Sequence, residues 1–240
     1  MVVSALFVLI AFQAKFHVQI HGPADAELAE EISGHVTAGM KTVENFFGQP
    51  YLKTIGADVY PTRAGLDEEF KRRWKAPPTE KWMVAAGIAD GLFMLSPKAW
   101  KTEATGHDRD DPRHVREIVT HELTHVFHGQ HNPRPDFDGM DEMAWFIEGL
   151  ATYVAGQLDG RRLTAKEAIE AGKAPKSLAE AWTGQYRYGV SGSIVRYVDV
   201  TYGRPKLIGL LKLTDTASAL KALGTDEKTL LRGWKAYELR

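Results

Sequence analysis

The chain has 240 residues, with 30 lysines and arginines against 31 aspartates and glutamates, and no cysteine. A net charge close to zero argues against nucleic acid or an anionic surface as the main partner, and the missing cysteines exclude disulfides, zinc–thiolate sites and cysteine nucleophiles. The length suits one large domain or two small lobes that share a cleft.

Residues 1–14 contain the apolar run VVSALFVLIAF at 2–12. It is too short to cross a bilayer as a helix, so no stable membrane span is expected. It reads as the h-region of a signal peptide or as a buried first strand. No lysine or arginine precedes it, and Phe12-Gln13-Ala14 is a poor cleavage site. Export, to a periplasm or the extracellular space, is nevertheless expected ahead of a cytoplasmic location.

From Lys15 to His21 apolar Phe16, Val18 and Ile20 alternate with polar neighbours, which predicts a half-buried strand. Gly22-Pro23 then opens a helix whose apolar stripe is Leu28, Ile32, Val36, Met40, Val43 and Phe47, closed by Gly48. Residues 52–60 read as a second strand and 67–74 as a short charged helix, with Lys71-Arg72-Arg73 on a solvated face. Residues 82–97 read as two apolar strands joined at Asp90-Gly91, a strong hairpin signal. One strand of this hairpin is expected to border the functional cleft and to pair with an extended peptide.

Asp111 and Pro112 then supply the cap and first residue of a helix, with Val115, Ile118, Val119, Leu123, Val126 and Phe127 at helical spacing and Gly129 as its stop. Inside it stands His121-Glu122-Leu123-Thr124-His125. Histidines four apart on a helix share one face and can grip one divalent ion, most often zinc. Glu122, rotated about 100° from His121, lies beside that ion without binding it and can take a proton from a water. The plain alternative is a buried helix whose histidines serve only core hydrogen bonds.

Beyond Met140 the chain reads as helix. Thr164-x-x-Glu167 and Ser177-x-x-Glu180 are capping-box patterns; helices are expected at 189–202, from Arg204-Pro205, and at about 226–239. Two residues compete for the third metal position. Glu148 is a lone acid in WFIEGLATYV (145–154), a helix apolar almost all round, where an unpaired charge would be costly and a metal ion is the best partner. Gly149 beside it would let two helices approach closely. His131 stands ten residues after His121, but Gly129 falls one place late for the turn that this spacing requires. Glu148 is preferred.

His121-Glu122-x-x-His125 followed by Trp145-Phe146-x-Glu148-Gly149-x-Ala151-x-Tyr153 resembles the gluzincin metallopeptidases, in particular the small peptidase-MA-like proteins related to the catalytic domain of M1 aminopeptidases. The segment from Tyr188 to Tyr202-Gly203 agrees with that likeness, which covers most of the chain. The resemblance implies an α+β, zincin-like fold: an N-terminal lobe with a mixed sheet (15–130), a mostly helical lobe (131–240), and the metal site in the cleft between them, together one catalytic domain over 15–240. It implies Zn2+ held by His121, His125 and Glu148, with Glu122 as general base. A later tyrosine that assists the oxyanion falls on Tyr188, with Tyr186 as runner-up. The function it implies is hydrolysis of peptide bonds in a peptide or protein substrate. The rivals are a zinc-binding or interaction protein that keeps the fold without turnover, and a helical interaction protein that binds no metal.

Two departures stand out. The aspartate that orients the first histidine in thermolysin-like members is replaced by Thr152, so that acceptor must come from elsewhere. No Gly-x-Met-x-Asn strand is present, and aminopeptidase specificity is therefore unsupported.

Overall fold

A computed structural model of the chain describes residues 15–89, 91–159 and 164–240. The apolar run at 1–14 and Asp90 of the hairpin turn lie outside the described residues. The elements in chain order are β1 (Phe16–Ile20), α1 (Ala26–Phe47), β2 (Ile55–Tyr60), α2 (Arg63–Trp74), β3 (Ala85–Ile88), β4 (Gly91–Leu95), α3 (Trp100–Glu103), α4 (Pro112–His131) and α5 (Ala144–Val154). Then come α6 (Ala165–Glu170), α7 (Leu178–Ala181), α8 (Arg187–Tyr202), α9 (Arg204–Gly209), α10 (Thr216–Leu223) and α11 (Glu227–Glu238). The fold is α+β, and among the described residues no helix is long and apolar enough to cross a membrane.

The four strands form a mixed sheet in the order β1-β2-β4-β3. β1 and β2 are parallel, joined through α1, and β2 pairs in parallel with β4. β3 runs antiparallel to β4, with Gly87 opposite Leu92, and forms one edge. The predicted hairpin is therefore present. The predicted stripe of α1 is buried in full, from Leu28 to Phe47. α1 packs along α4, where a Cβ on Gly39 would stand 2.8 Å from Leu123 and 3.1 Å from Thr120. Thr62 caps α2, so that helix starts earlier than its charged stretch suggests. Phe70 and Trp74 meet Phe93 edge-on and so tie α2 to β4.

α4 begins as expected: Asp111 accepts from the N–H of Arg113, and Pro112 occupies the first turn. Its predicted stop does not hold. The helix passes through Gly129 to His131 and is capped by Asn132. The glycine serves a close approach instead, since a Cβ there would lie 2.4 Å from the carbonyl oxygen of Pro135. Thr164 and Glu167 form a full capping box. Ser177 caps α7 by one bond only, because the carboxylate of Glu180 accepts from Lys176 rather than from Ser177.

α5 and α8 are pressed together through small residues. A Cβ on Gly149 would meet the Ser191 carbonyl oxygen at 2.5 Å, and one on Gly192 would meet Thr152 at 2.8 Å. This is the close helix approach expected of Gly149, and it brings the start of α8 beside α4 and α5.

Candidate metal centre

One turn of α4 separates His121 from His125, and both side chains are buried at 5% and 6% exposure. Glu148 reaches them from α5. Its Oε2 lies 3.3 Å from Nε2 of His121 and 3.6 Å from Nε2 of His125, and the two nitrogens are 3.1 Å apart. Tetrahedral bonds of about 2.0–2.1 Å separate ligand atoms by about 3.3–3.4 Å. The three atoms therefore form one face of a tetrahedron of the size that zinc requires. Among the described residues these three form the one His/Asp/Glu group converging in this way.

The electrostatics agree with a cation site. Burial works against ionisation of Glu148, but the two imidazoles outweigh it and hold the carboxyl well below the usual carboxylate range. Burial likewise opposes charge on His125, but Glu148, with Glu122 behind it, raises the imidazole above its ordinary value.

Nδ1 of His121 lies 3.0 Å from Oε1 of Gln157. An amide oxygen can only accept, so Nδ1 carries the proton and Nε2 presents its lone pair to the cluster. Gln157 is the orienting group for which the sequence offered no aspartate. It arrives there because Gly156, in the left-handed region at φ 75°, ends α5, and the N–H of Gln157 folds back onto the Thr152 carbonyl at 3.1 Å. A glycine just past a helix end followed by a polar residue was the available signal. Thr152 itself is fully buried at the α8 contact.

Glu122 faces β3. Its Oε2 accepts from the N–H of Gly87 at 2.8 Å. A Cβ on Gly87 would stand 2.0 Å from the carbonyl oxygen of Glu122, so only glycine lets the strand lie this close to the helix. The ring of Tyr188 is 6.2 Å from that of His121, whereas Tyr186 is held near Lys173 and does not line the same cavity. His131 is not brought to the cluster: its ring stacks on Phe127, and its Nδ1 lies 2.8 Å from the Phe127 carbonyl oxygen. His128 is buried against Phe137 and Phe146, and burial, with the charge of His125 second, lowers its pKa to about 3.

The cluster opens into a cavity of about 700 Å³ lined by residues 82–88, by α4 from Arg113 to His125, by Ile147 and Glu148 of α5, and by Trp182, Arg187 and Tyr188. β3, the edge strand, forms one wall.

No protein-family model and no curated protein matches the sequence. The fold is similar to solved M1 zinc metallopeptidases. One is a two-domain enzyme solved as a glutamate-to-alanine variant with L-arginine bound, at 15% identity and a TM-score of 0.53, over 94% of this chain and 49% of that one. Another is the M1 zinc metallopeptidase of Deinococcus radiodurans, at 17% identity and a TM-score of 0.48, over 84% of this chain and 43% of that one. The chain thus spans about half the length of these proteins. The first likeness shows a metallopeptidase-like fold, and the His-His-Glu cluster is a group that could hold a metal ion.

Proposed function

We propose that the chain is a zinc-dependent peptidase of gluzincin type, with zinc held by His121, His125 and Glu148 in a cleft between the strand-rich and helical parts of the fold. The carrying observation is the convergence of the three ligand atoms at 3.1–3.6 Å, with Glu122 beside them and outside the ligand set. When bound, zinc supplies Lewis-acid activation of a water and of the scissile carbonyl. The remaining roles belong to the chain. Glu122, steadied at Oε2 by the Gly87 amide, takes the proton of the attacking water at Oε1 and hands it to the leaving amine. Tyr188 donates a hydrogen bond from its phenolic O–H to the developing oxyanion. The edge strand β3, apart from the Gly87 N–H that holds Glu122, aligns an extended peptide by main-chain hydrogen bonds, with the scissile bond carried past Glu122.

The test has two parts. Elemental analysis of protein purified without added metal is expected to give about one zinc per chain. A mixed-peptide digest is expected to proceed with the parent, to stop with chelator, and to stop with Glu122→Gln although that variant keeps its zinc. Cleavage by zinc-loaded Glu122→Gln refutes the mechanism. Zinc without cleavage by the parent leaves a binding protein on this fold.

A further inference from the structure

Beside the metal cluster the cavity holds a cation that the mechanism does not use. The guanidinium of Arg187, at the first residue of α8, lies 4.8 Å from the ring centre of Trp82, 5.3 Å from that of Trp182 and 5.4 Å from that of Tyr188. Trp182 and Tyr188 meet edge-on at 4.6 Å, and Tyr188 adjoins His121, so this aromatic cage is continuous with the metal site. Four other charged groups lining the cavity have partners among the described residues. Arg113 faces Glu117, Glu148 faces the imidazoles, Glu122 accepts from Gly87, and Asp111 caps α4. Asp159, exposed at the rim, is not within ion-pair distance of Arg187. Among the described residues no carboxylate is within that distance.

Stacking against rings occupies the faces of a guanidinium and leaves its in-plane N–H donors open. Three aromatic neighbours also fix the side chain, so little rotamer freedom is lost when a ligand pairs with that edge. α8 starts at the same point, and its N-cap residue Tyr186 provides no side-chain cap. The orphan N–H groups and the helix dipole add to the preference for negative charge there. Trp82 leads into β3, so the cage stands at the beginning of the edge along which a peptide would lie.

We propose that Arg187 is the specificity residue of this cavity, binding a carboxylate of the peptide near the scissile bond through the N–H edge that Trp82, Trp182 and Tyr188 leave open. The inference rests on the peptidase reading, and it names the substrate class: peptides carrying either an acidic side chain or a free C-terminus at that position. A bidentate, charge-assisted pair in a partly dry site is worth about 10- to 100-fold in affinity over the matching amide.

The test uses the full chain, zinc-loaded and carrying Glu122→Gln so that peptides bind without turnover. Trp82 and Trp182 report binding by fluorescence. One probe pair is a set of N-acetylated tripeptides as free acids and as C-terminal amides. The other is amidated peptides with an internal Glu or Gln. The acid member of one pair is expected to bind about 10- to 100-fold more tightly, and the pair that responds identifies the source of the carboxylate. The ratio is expected to fall to about one in Arg187→Gln and to an intermediate value in Arg187→Lys, which keeps the charge but not the fork. Zinc content and melting temperature of each variant show that it is folded. Equal affinities within both pairs, a ratio that survives Arg187→Gln, or no binding of any probe overturns the proposal. Since the readout is binding, a parent protein that cleaves nothing refutes the peptidase reading separately.

Discussion

Gly87→Ala is the smallest change that tests how the general base is held. The added methyl would sit 2.0 Å from the Glu122 carbonyl oxygen and 2.7 Å from its carbonyl carbon. Both atoms are backbone within a helix, so no side chain can swing aside, and β3 must withdraw by about 1.4 Å to restore ordinary contact. Forced overpacking of this kind costs roughly 1–3 kcal/mol. For a chain of this length that lowers the melting temperature by roughly 2–12 °C. Withdrawal also breaks the 2.8 Å bond from the Gly87 N–H to Oε2. A displacement of about 1 Å at a reacting group costs on the order of 100-fold in rate. Scanning calorimetry and peptide turnover on zinc-loaded protein measure the two effects, with zinc content expected to be unchanged because the ligands lie on α4 and α5. An unaltered melting temperature together with unaltered turnover would refute the argument that strand and helix meet only through glycine here.

Glu148→Ala is expected to reduce bound zinc from about one per chain to almost none by elemental analysis; zinc retained by the variant would reopen the question of the third ligand. Gln157→Leu leaves the ligands but frees the His121 ring, and is expected to weaken zinc binding about 10- to 100-fold in a chelator competition. Tyr188→Phe is expected to lower kcat about 100- to 1,000-fold with KM little changed, and an unchanged kcat removes Tyr188 from the mechanism. His128 has a folded pKa of about 3 against an ordinary 6.5, so an unfolded chain takes up a proton below 6.5 that the folded chain refuses. Its destabilising effect is nil above that pH and grows as pH falls toward 3, at up to roughly 1.4 kcal/mol per pH unit. The carbonyl of Leu211, which opposes this weakly, already accepts from Asn132. His128→Leu is therefore expected to flatten the acid limb of urea stability measured between pH 7 and 4.5, and an unchanged slope counts against the burial argument.

What the chain order revealed depended on whether the cause was local. The stripe of α1 and the pairing of His121 with His125 are fixed by helical periodicity, and both are legible as spacing. Glu148 was legible because a lone acid in an apolar helix demands a partner, although the letters left His131 in contention until the rings were placed. Gly129 was misread because glycine marks both helix ends and close approaches. The Pro135 carbonyl that decides between them comes from the chain beyond the helix. Gly87 and Gln157 were invisible as site residues for the same reason: each acts on α4 from 35 or more residues away, and neither belongs to a pattern. Arg187 carries no motif at all, and its role emerges only when Trp82, Trp182 and Tyr188 are seen around it.

The charges of the cluster follow from its burial. Glu148 is about a quarter exposed, and its carboxylate oxygen is shared between two imidazoles that are almost wholly buried. An ionised carboxylate in such a setting needs a compensating charge. Glu148, with Glu122 behind it, raises the pKa of His125 against the effect of burial, so the surroundings of that imidazole favour positive charge. On the proposed reading zinc would compete with a proton for the nitrogen of His125 that faces Glu148, so chelator competition is expected to show affinity falling as pH drops. Nδ1 of His121 lies against the amide oxygen of Gln157, so Nε2 is the nitrogen that this ring turns to the cluster. One histidine thus has its ring orientation set by a side-chain amide, while the other is biased toward charge by Glu148. That asymmetry follows from a single amide oxygen placed by the glycine that ends α5.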